Sequence, residues 1–242
     1  MTPASPETAA RTAPWASDRA QRRLRDVERA LPEDAAAALT AAAQAVVAHE
    51  QRVERDALML YAGGNVPSAR VAQAHHPLLS NQPSMGYAGD KYQAGLEALD
   101  VVEVTVSRLL ADLMGATFAE IRPTSATLAN LAVYSVVAAP GETVAVLPAW
   151  AGGHLSHHEI GAAGIRGLRV VDLPYDLRRL DVDLDGLGTL LAAERPKLVV
   201  VGASLMLHPH DLRPIADLVH DAGALLLYDA SHVAGLVAEG RF

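Results

Sequence analysis

Residues 198–204 read Leu-Val-Val-Val-Gly-Ala-Ser and residues 224–229 read Ala-Leu-Leu-Leu-Tyr-Asp, and the fold turns on these two runs. Neither alternates polar with apolar residues, so each strand needs cover on both faces. A parallel sheet lying between two layers of helix meets that demand. Residues 212–222, which separate the runs, repeat their apolar positions at helical spacing. The same alternation continues toward the N-terminus, with a helix at 184–194, a strand at 168–173, a loop and helix over 150–164 and a continuous apolar strand at 143–148. A helix over 125–138, closed by Pro140-Gly141, and a strand at 117–122 complete it. The pattern predicts an α/β domain around a mainly parallel sheet. Ligands of such sheets collect at the carboxyl ends of the strands, so the residues after each strand are the candidates for chemistry.

Upstream the texture differs. Residues 1–16 are small, Pro- and Thr-rich and aperiodic, and predict a disordered tail. Helices are predicted over 17–30 and 33–55, the second beginning just after Pro32. They precede every strand, so residues 17–57 read as a helical arm that packs on something else, such as a second subunit, and residues 58–242 as the domain. Within it, 61–67 is turn-rich, 68–79 a short helix capped by Ser68, 80–95 a long loop, and 97–114 an amphipathic helix stopped by Gly115.

Composition narrows the function classes. The 242 residues carry 20 basic and 28 acidic side chains, a net charge of −8, with no basic tract to hold nucleic-acid phosphates or an anionic membrane. The absence of cysteine excludes disulfides, thiolate metal sites and a cysteine nucleophile. No apolar run reaches the roughly 18–20 residues of a membrane span, and the expected setting is cytoplasmic. Only two of the basic residues are lysines, Lys91 and Lys197.

The strand ends hold several candidates. Thr124, Ser125, Ala126 and Thr127 open a helix, where backbone N–H groups, hydroxyls and the helix dipole suit an anion; ordinary capping by Thr124 or Ser125 explains the same residues. Trp150-Ala-Gly-Gly-His154 lets backbone approach a ligand, with His154 as a stacking ring. His154, His157 and His158 fix no metal geometry, and surface histidines are the alternative; no metal site is expected. Ser204 and Asp229 follow the last two strands. A carboxylate at the end of an apolar strand needs a cation, and the protonated ring nitrogen of a cofactor would serve, as would a salt bridge or a capping role.

Six ordered blocks carry a resemblance: residues 62–67 (AGGNVP), 87–92, 123–134 (PTSATLANLAVY), 151–156 (AGGHLS), 202–204 and 228–240 (YDASHVAGLVAEG). Together they resemble serine hydroxymethyltransferase, a pyridoxal-phosphate enzyme of the aspartate-aminotransferase fold (PLP fold type I). The resemblance implies pyridoxal 5′-phosphate as cofactor. It implies that Ser125, Ala126 and Thr127 bind its phosphate and that His154 stacks on its ring. Ser204 and His232 are implied beside the phenolic oxygen, His232 with a catalytic part, and Asp229 at the ring nitrogen. Tyr87 and Tyr92 are implied in the substrate loop.

The chain departs from that pattern as well. Gly63 and Gly64 replace the Ser and Glu of one family loop, Met85 stands where the catalytic Glu is expected, and Pro83 and Gln93 replace two tyrosines. A thioether cannot exchange protons, which speaks against tetrahydrofolate and leaves aldol-type chemistry on glycine, serine or threonine. The family's Schiff-base lysine has no counterpart, because Lys197 starts a strand and Lys91 matches a family Arg. The expectation is an incomplete, oligomeric component completed by a C-terminal half or a paralogous subunit. A fragment of a longer reading frame and a non-catalytic relative are the alternatives.

Overall fold

The computed structural model describes residues 15–58, 60, 63–64, 66–75 and 81–242. The expected tail lies outside the described residues except for Trp15 and Ala16. The chain divides into two compact units, residues 1–66 and 67–242.

The first unit holds helices α1 (Asp18–Ala30) and α2 (Ala35–Gln51), the latter running into a π-helical turn at Arg52–Asp56. Each begins at a side-chain cap. Ser17 accepts from the N–H of Ala20 at 3.3 Å, and Asp34 accepts from Ala37 at 2.8 Å. The Asp34 cap puts the start of α2 two residues later than the pattern after Pro32 predicts.

The second unit opens with α3 (Ala69–Ala74), capped by Ser68; the end of the helix predicted over 68–79 lies outside the described residues. The loop expected over 80–95 contains a small antiparallel hairpin of β1 (Gly86–Tyr87) and β2 (Asp90–Lys91). Helix α4 (Glu97–Met114) ends at Gly115, whose φ of 61° closes it in a left-handed cap. The strand predicted at 117–122 does not form. Phe118 is exposed there and no strand among the described residues pairs with it, while Arg122 turns back on Glu120 through its backbone N–H and its guanidinium.

From there strand and helix alternate as the sequence predicts: α5 (Ala126–Val137), β3 (Thr143–Val146), α6 (Ala162–Ile165) and β4 (Arg169–Asp172). A second hairpin, β5 (Tyr175–Asp176) with β6 (Asp181–Val182), leads into α7 (Leu184–Glu194). Next come β7 (Leu198–Val201), α8 (Leu212–Asp221), β8 (Leu225–Tyr228) and α9 (Ala234–Ala238). The main sheet has four parallel strands in the order β4-β3-β7-β8. Its pleat sorts the side chains. Val144, Val146, Leu198 and Val200 face α5 and α6 with Tyr134, Ala162 and Ala163. Ala145, Leu147, Val199 and Val201 face α7 and α8 with Leu187, Leu191, Ile215 and Val219. Each such fully buried Val or Leu contributes about 1.5–3 kcal/mol, which is why the unbroken apolar runs lie at the centre. The chain goes outward from β3 to β4 and then returns to β7, so a crevice opens at the carboxyl ends of β3 and β7.

Among the described residues, no helix is long and apolar enough to cross a membrane.

Candidate active site

A cavity of about 200 Å³ occupies that crevice. Ser125, Ala126, Thr127, His154, Ser204, Asp229 and His232 all line it, joined by Gly202, Ala203 and Ser231. Elements distant in sequence bring them there: the first turn of α5, the loop after β3, and the residues just beyond β7 and β8.

One end of the cavity suits an anion. Ser125 is the N-cap of α5, its hydroxyl accepting from the N–H of Leu128 at 3.1 Å, while Ala129 donates to the Ser125 carbonyl at 3.0 Å. Helix geometry leaves the N–H groups of Ala126 and Thr127 without intrahelical acceptors, at the positive end of the helix dipole. Capping and anion binding, separate alternatives in the sequence, are thus compatible at one helix start.

The other end carries Asp229. Its Oδ2 accepts from His157 Nε2 at 2.9 Å and from Asn130 Nδ2 at 3.1 Å; its Oδ1 accepts from the N–H of Ser231 at 3.1 Å and from the Ser231 hydroxyl. The His157 hydrogen bond, followed by those of Ser231 and Asn130, outweighs burial and holds the carboxyl well below the usual carboxylate range. The group is a stable anion. Gly202, at φ 122°, allows β7 to pass close to it, since a Cβ there would lie 2.3 Å from the Asp229 carbonyl oxygen.

Behind Asp229 stands a layer of which the sequence reading named only His157, and that without a role here. His157 is buried at 2 % exposure, not a surface residue, and its Nδ1 lies 2.7 Å from the Tyr134 hydroxyl. Burial first, and then the Asp229 charge, push the Tyr134 phenol above its ordinary value, so it keeps its proton. Asn130 and Ser156 are buried as well. The available signal was on α5, where Thr127, Asn130 and Tyr134 recur on one face of an otherwise apolar helix.

The remaining candidates lie elsewhere. Tyr87 is exposed on the β1–β2 hairpin with Arg122 stacked 4.4 Å over its ring, and Tyr92 is exposed; neither lines the cavity, nor does Met85. Lys91 Nζ is held by both oxygens of Glu103, at 2.6 and 2.5 Å. Lys197 pairs with Glu142 at 3.4 Å, at the opposite end of the sheet. No lysine lines this cavity.

This donor set fits a flat heteroaromatic ring with a protonated nitrogen and an anionic substituent: a fixed carboxylate for the first, a helix start with hydroxyls for the second, and imidazoles between. The family model for serine hydroxymethyltransferase matches residues 38–242. An alpha-methylserine aldolase of Variovorax paradoxus is 36% identical over 234 residues, covering 96% of this chain and 53% of that protein. An alpha-methylserine aldolase of a Ralstonia species is 40% identical over 191 residues, covering 78% and 44%. A serine hydroxymethyltransferase of Pyrobaculum islandicum is 36% identical over 197 residues, covering 81% and 46%. The chain therefore spans about half the length of these curated relatives. On the match over 38–242 and these identities, the chain belongs to the serine hydroxymethyltransferase family, pyridoxal-phosphate enzymes of PLP fold type I.

Proposed function

We propose that this chain is the cofactor-holding component of a pyridoxal-phosphate enzyme that carries out aldol-type chemistry on small α-amino acids of the glycine, serine or threonine type. A second polypeptide, a complementary half or a paralogous subunit, supplies the lysine. The observation that carries the reading is the cavity itself: a fixed anion at one end, an anion-binding helix start at the other, and no lysine on its wall.

Ser125, Ala126 and Thr127 would hold the phosphate of pyridoxal phosphate, His154 its ring face, and Ser204 its phenolic oxygen. Bound there, the cofactor supplies an electron sink for negative charge developing at the substrate's α-carbon. Asp229, kept ionised by His157, holds a proton at the ring nitrogen. His232, on the same wall, is the residue we assign to proton exchange. Met85 in place of a carboxylate favours aldol-type cleavage without tetrahydrofolate, because proton transfer by a positioned group is worth about 10²–10⁴-fold. The names of the aldolase relatives point the same way.

A second reading, a non-catalytic relative that binds the cofactor or a partner protein, is favoured by the engagement of both lysines in ion pairs. Equilibrium dialysis with pyridoxal phosphate, followed by borohydride reduction and peptide mapping, separates the two. The chain alone is expected to bind the cofactor reversibly and to give no trapped lysine. Adding a polypeptide that matches the other half of the relatives should produce cleavage of serine-type substrates whose rate tetrahydrofolate does not raise. Turnover with a stoichiometric adduct on Lys91 or Lys197 would overturn the two-component reading. Efficient turnover only with tetrahydrofolate would overturn the aldol assignment, and no turnover with a bound second half would leave the non-catalytic reading.

A further inference from the structure

Asn130 lies just beyond Thr127 on α5, is 6% exposed, and does not itself line the cavity. Its amide nitrogen is 3.1 Å from Asp229 Oδ2 and 3.1 Å from Ser156 Oγ. An ionised carboxylate only accepts, so the nitrogen of the amide faces it, and a flipped amide would set two acceptors against each other. The two amide hydrogens therefore serve two different acceptors. Having accepted from Asn130, the Ser156 hydroxyl directs its own hydrogen to His154 Nδ1, 2.8 Å away, where the Ser156 N–H also points at 3.2 Å. His154 Nδ1 is thus an acceptor, and the ring proton sits on Nε2. On the other flank, His157 donates from Nε2 to Asp229, and its Nδ1 lies 2.7 Å from the Tyr134 hydroxyl. From Asp229 through Asn130 and Ser156 to His154, each hydrogen has a single assignment.

We propose that Asn130 is a positioning residue that couples Asp229 to His154, so that the carboxylate and the imidazole on the cavity wall are oriented as one unit. The inference rests on the reading above, in which these two groups face the cofactor. One amide is the pivot. Ser156 carries the constraint to the ring, and His157 with Tyr134 closes the other side of the carboxylate. Asn130, Ser156, His157 and Tyr134 are buried, and a break in a satisfied buried network leaves its partners unpaired.

The test is nitrogen-15 NMR of the imidazole rings in the full chain, with pyridoxal phosphate affinity from equilibrium dialysis as a second readout. In the wild type, His154 is expected as a single Nε2–H tautomer. Asn130→Ala is expected to free the Ser156 hydroxyl to turn away from His154 Nδ1 and so to shift that nitrogen's resonance, although Asn130 makes no hydrogen bond to the ring; the Ser156 N–H still holds Nδ1 as an acceptor, so the Nε2–H tautomer stays. The affinity for pyridoxal phosphate should fall about ten-fold, the effect of losing one hydrogen bond to a charged group. Should Asn130→Ala fail to fold, Asp229→Asn carries the same test from the far end of the link, and the His154 signal must move there too. An unchanged His154 Nδ1 resonance in a folded variant overturns the proposal. If the His154 resonance moves but the wild-type chain takes up no pyridoxal phosphate, the Asn130 link stands and the cofactor reading falls.

Discussion

Asp229 is the residue on which the chemistry of the cavity depends, and its charge is a property of its neighbours. Four hydrogen bonds from three residues, His157 first, hold its pKa below the ordinary value although burial opposes them. A carboxyl with a depressed folded-state pKa stabilises the protein above its unfolded value, near ~3.9, and that stability is lost as the pH falls through the folded-state value. The thermal midpoint of the wild type should therefore drop steeply below about pH 4. Asp229→Asn should be less stable by about 1–3 kcal/mol at neutral pH but flatter in acid. Thermal unfolding between neutral and acid pH checks this, and equal acid slopes for the two proteins would assign the acid sensitivity to other groups.

At the scale of elements, helix α5 and the ends of β7 and β8 build the site. α5 contributes its N-terminal turn to the cavity, and Asn130 and Tyr134, on the same face, to the layer behind it. The close approach of β7 to β8 needs a residue without a side chain at 202. Gly202→Ala would place a Cβ 2.3 Å from the Asp229 carbonyl oxygen, at a φ of 122° that L-residues rarely adopt. Backbone on both sides leaves nothing flexible to give way. The substitution is expected to cost about 2–4 kcal/mol and to displace Asp229. Denaturant titration should show a lowered midpoint, and dialysis a loss of pyridoxal phosphate binding; a variant with wild-type values for both would show that the strand ends can separate freely.

At the scale of the molecule, β4 and β8 end the sheet on its two sides, with no further strand paired to either among the described residues. On β8, Leu225 is 54% exposed, and α4 presents Val101, Val104, Leu109 and Leu113 to solvent. Open apolar edges and faces promote association. Purified chain is expected to dimerise or aggregate at micromolar concentration and to become better behaved with a complementary polypeptide. Sedimentation velocity showing a stable monomer in that range would count against the assembly reading.

Much of this protein is legible in its sequence because burial on both faces leaves an unbroken apolar signature. Residues 143–146 and 198–201 are buried throughout and form strands where predicted. The helices at 97–114 and 184–194 begin and end where periodicity places them, the first stopped at Gly115. The strand-end rule likewise directs attention to Ser204 and Asp229, which line the cavity. Residues 117–122 have strand character but no partner, and a strand exists only through its ladder; pairing is a tertiary event. The layer behind Asp229 was illegible for the same reason. His157 is 72 positions from Asp229 and Asn130 is 99, so no local pattern says that they meet. Composition and spacing determined which groups stand at the strand ends. Only the folding of α5 against the sheet decided which buried donors keep one of them charged, because hydrogen bonds between distant residues exist only once packing has brought the donors to the carboxylate.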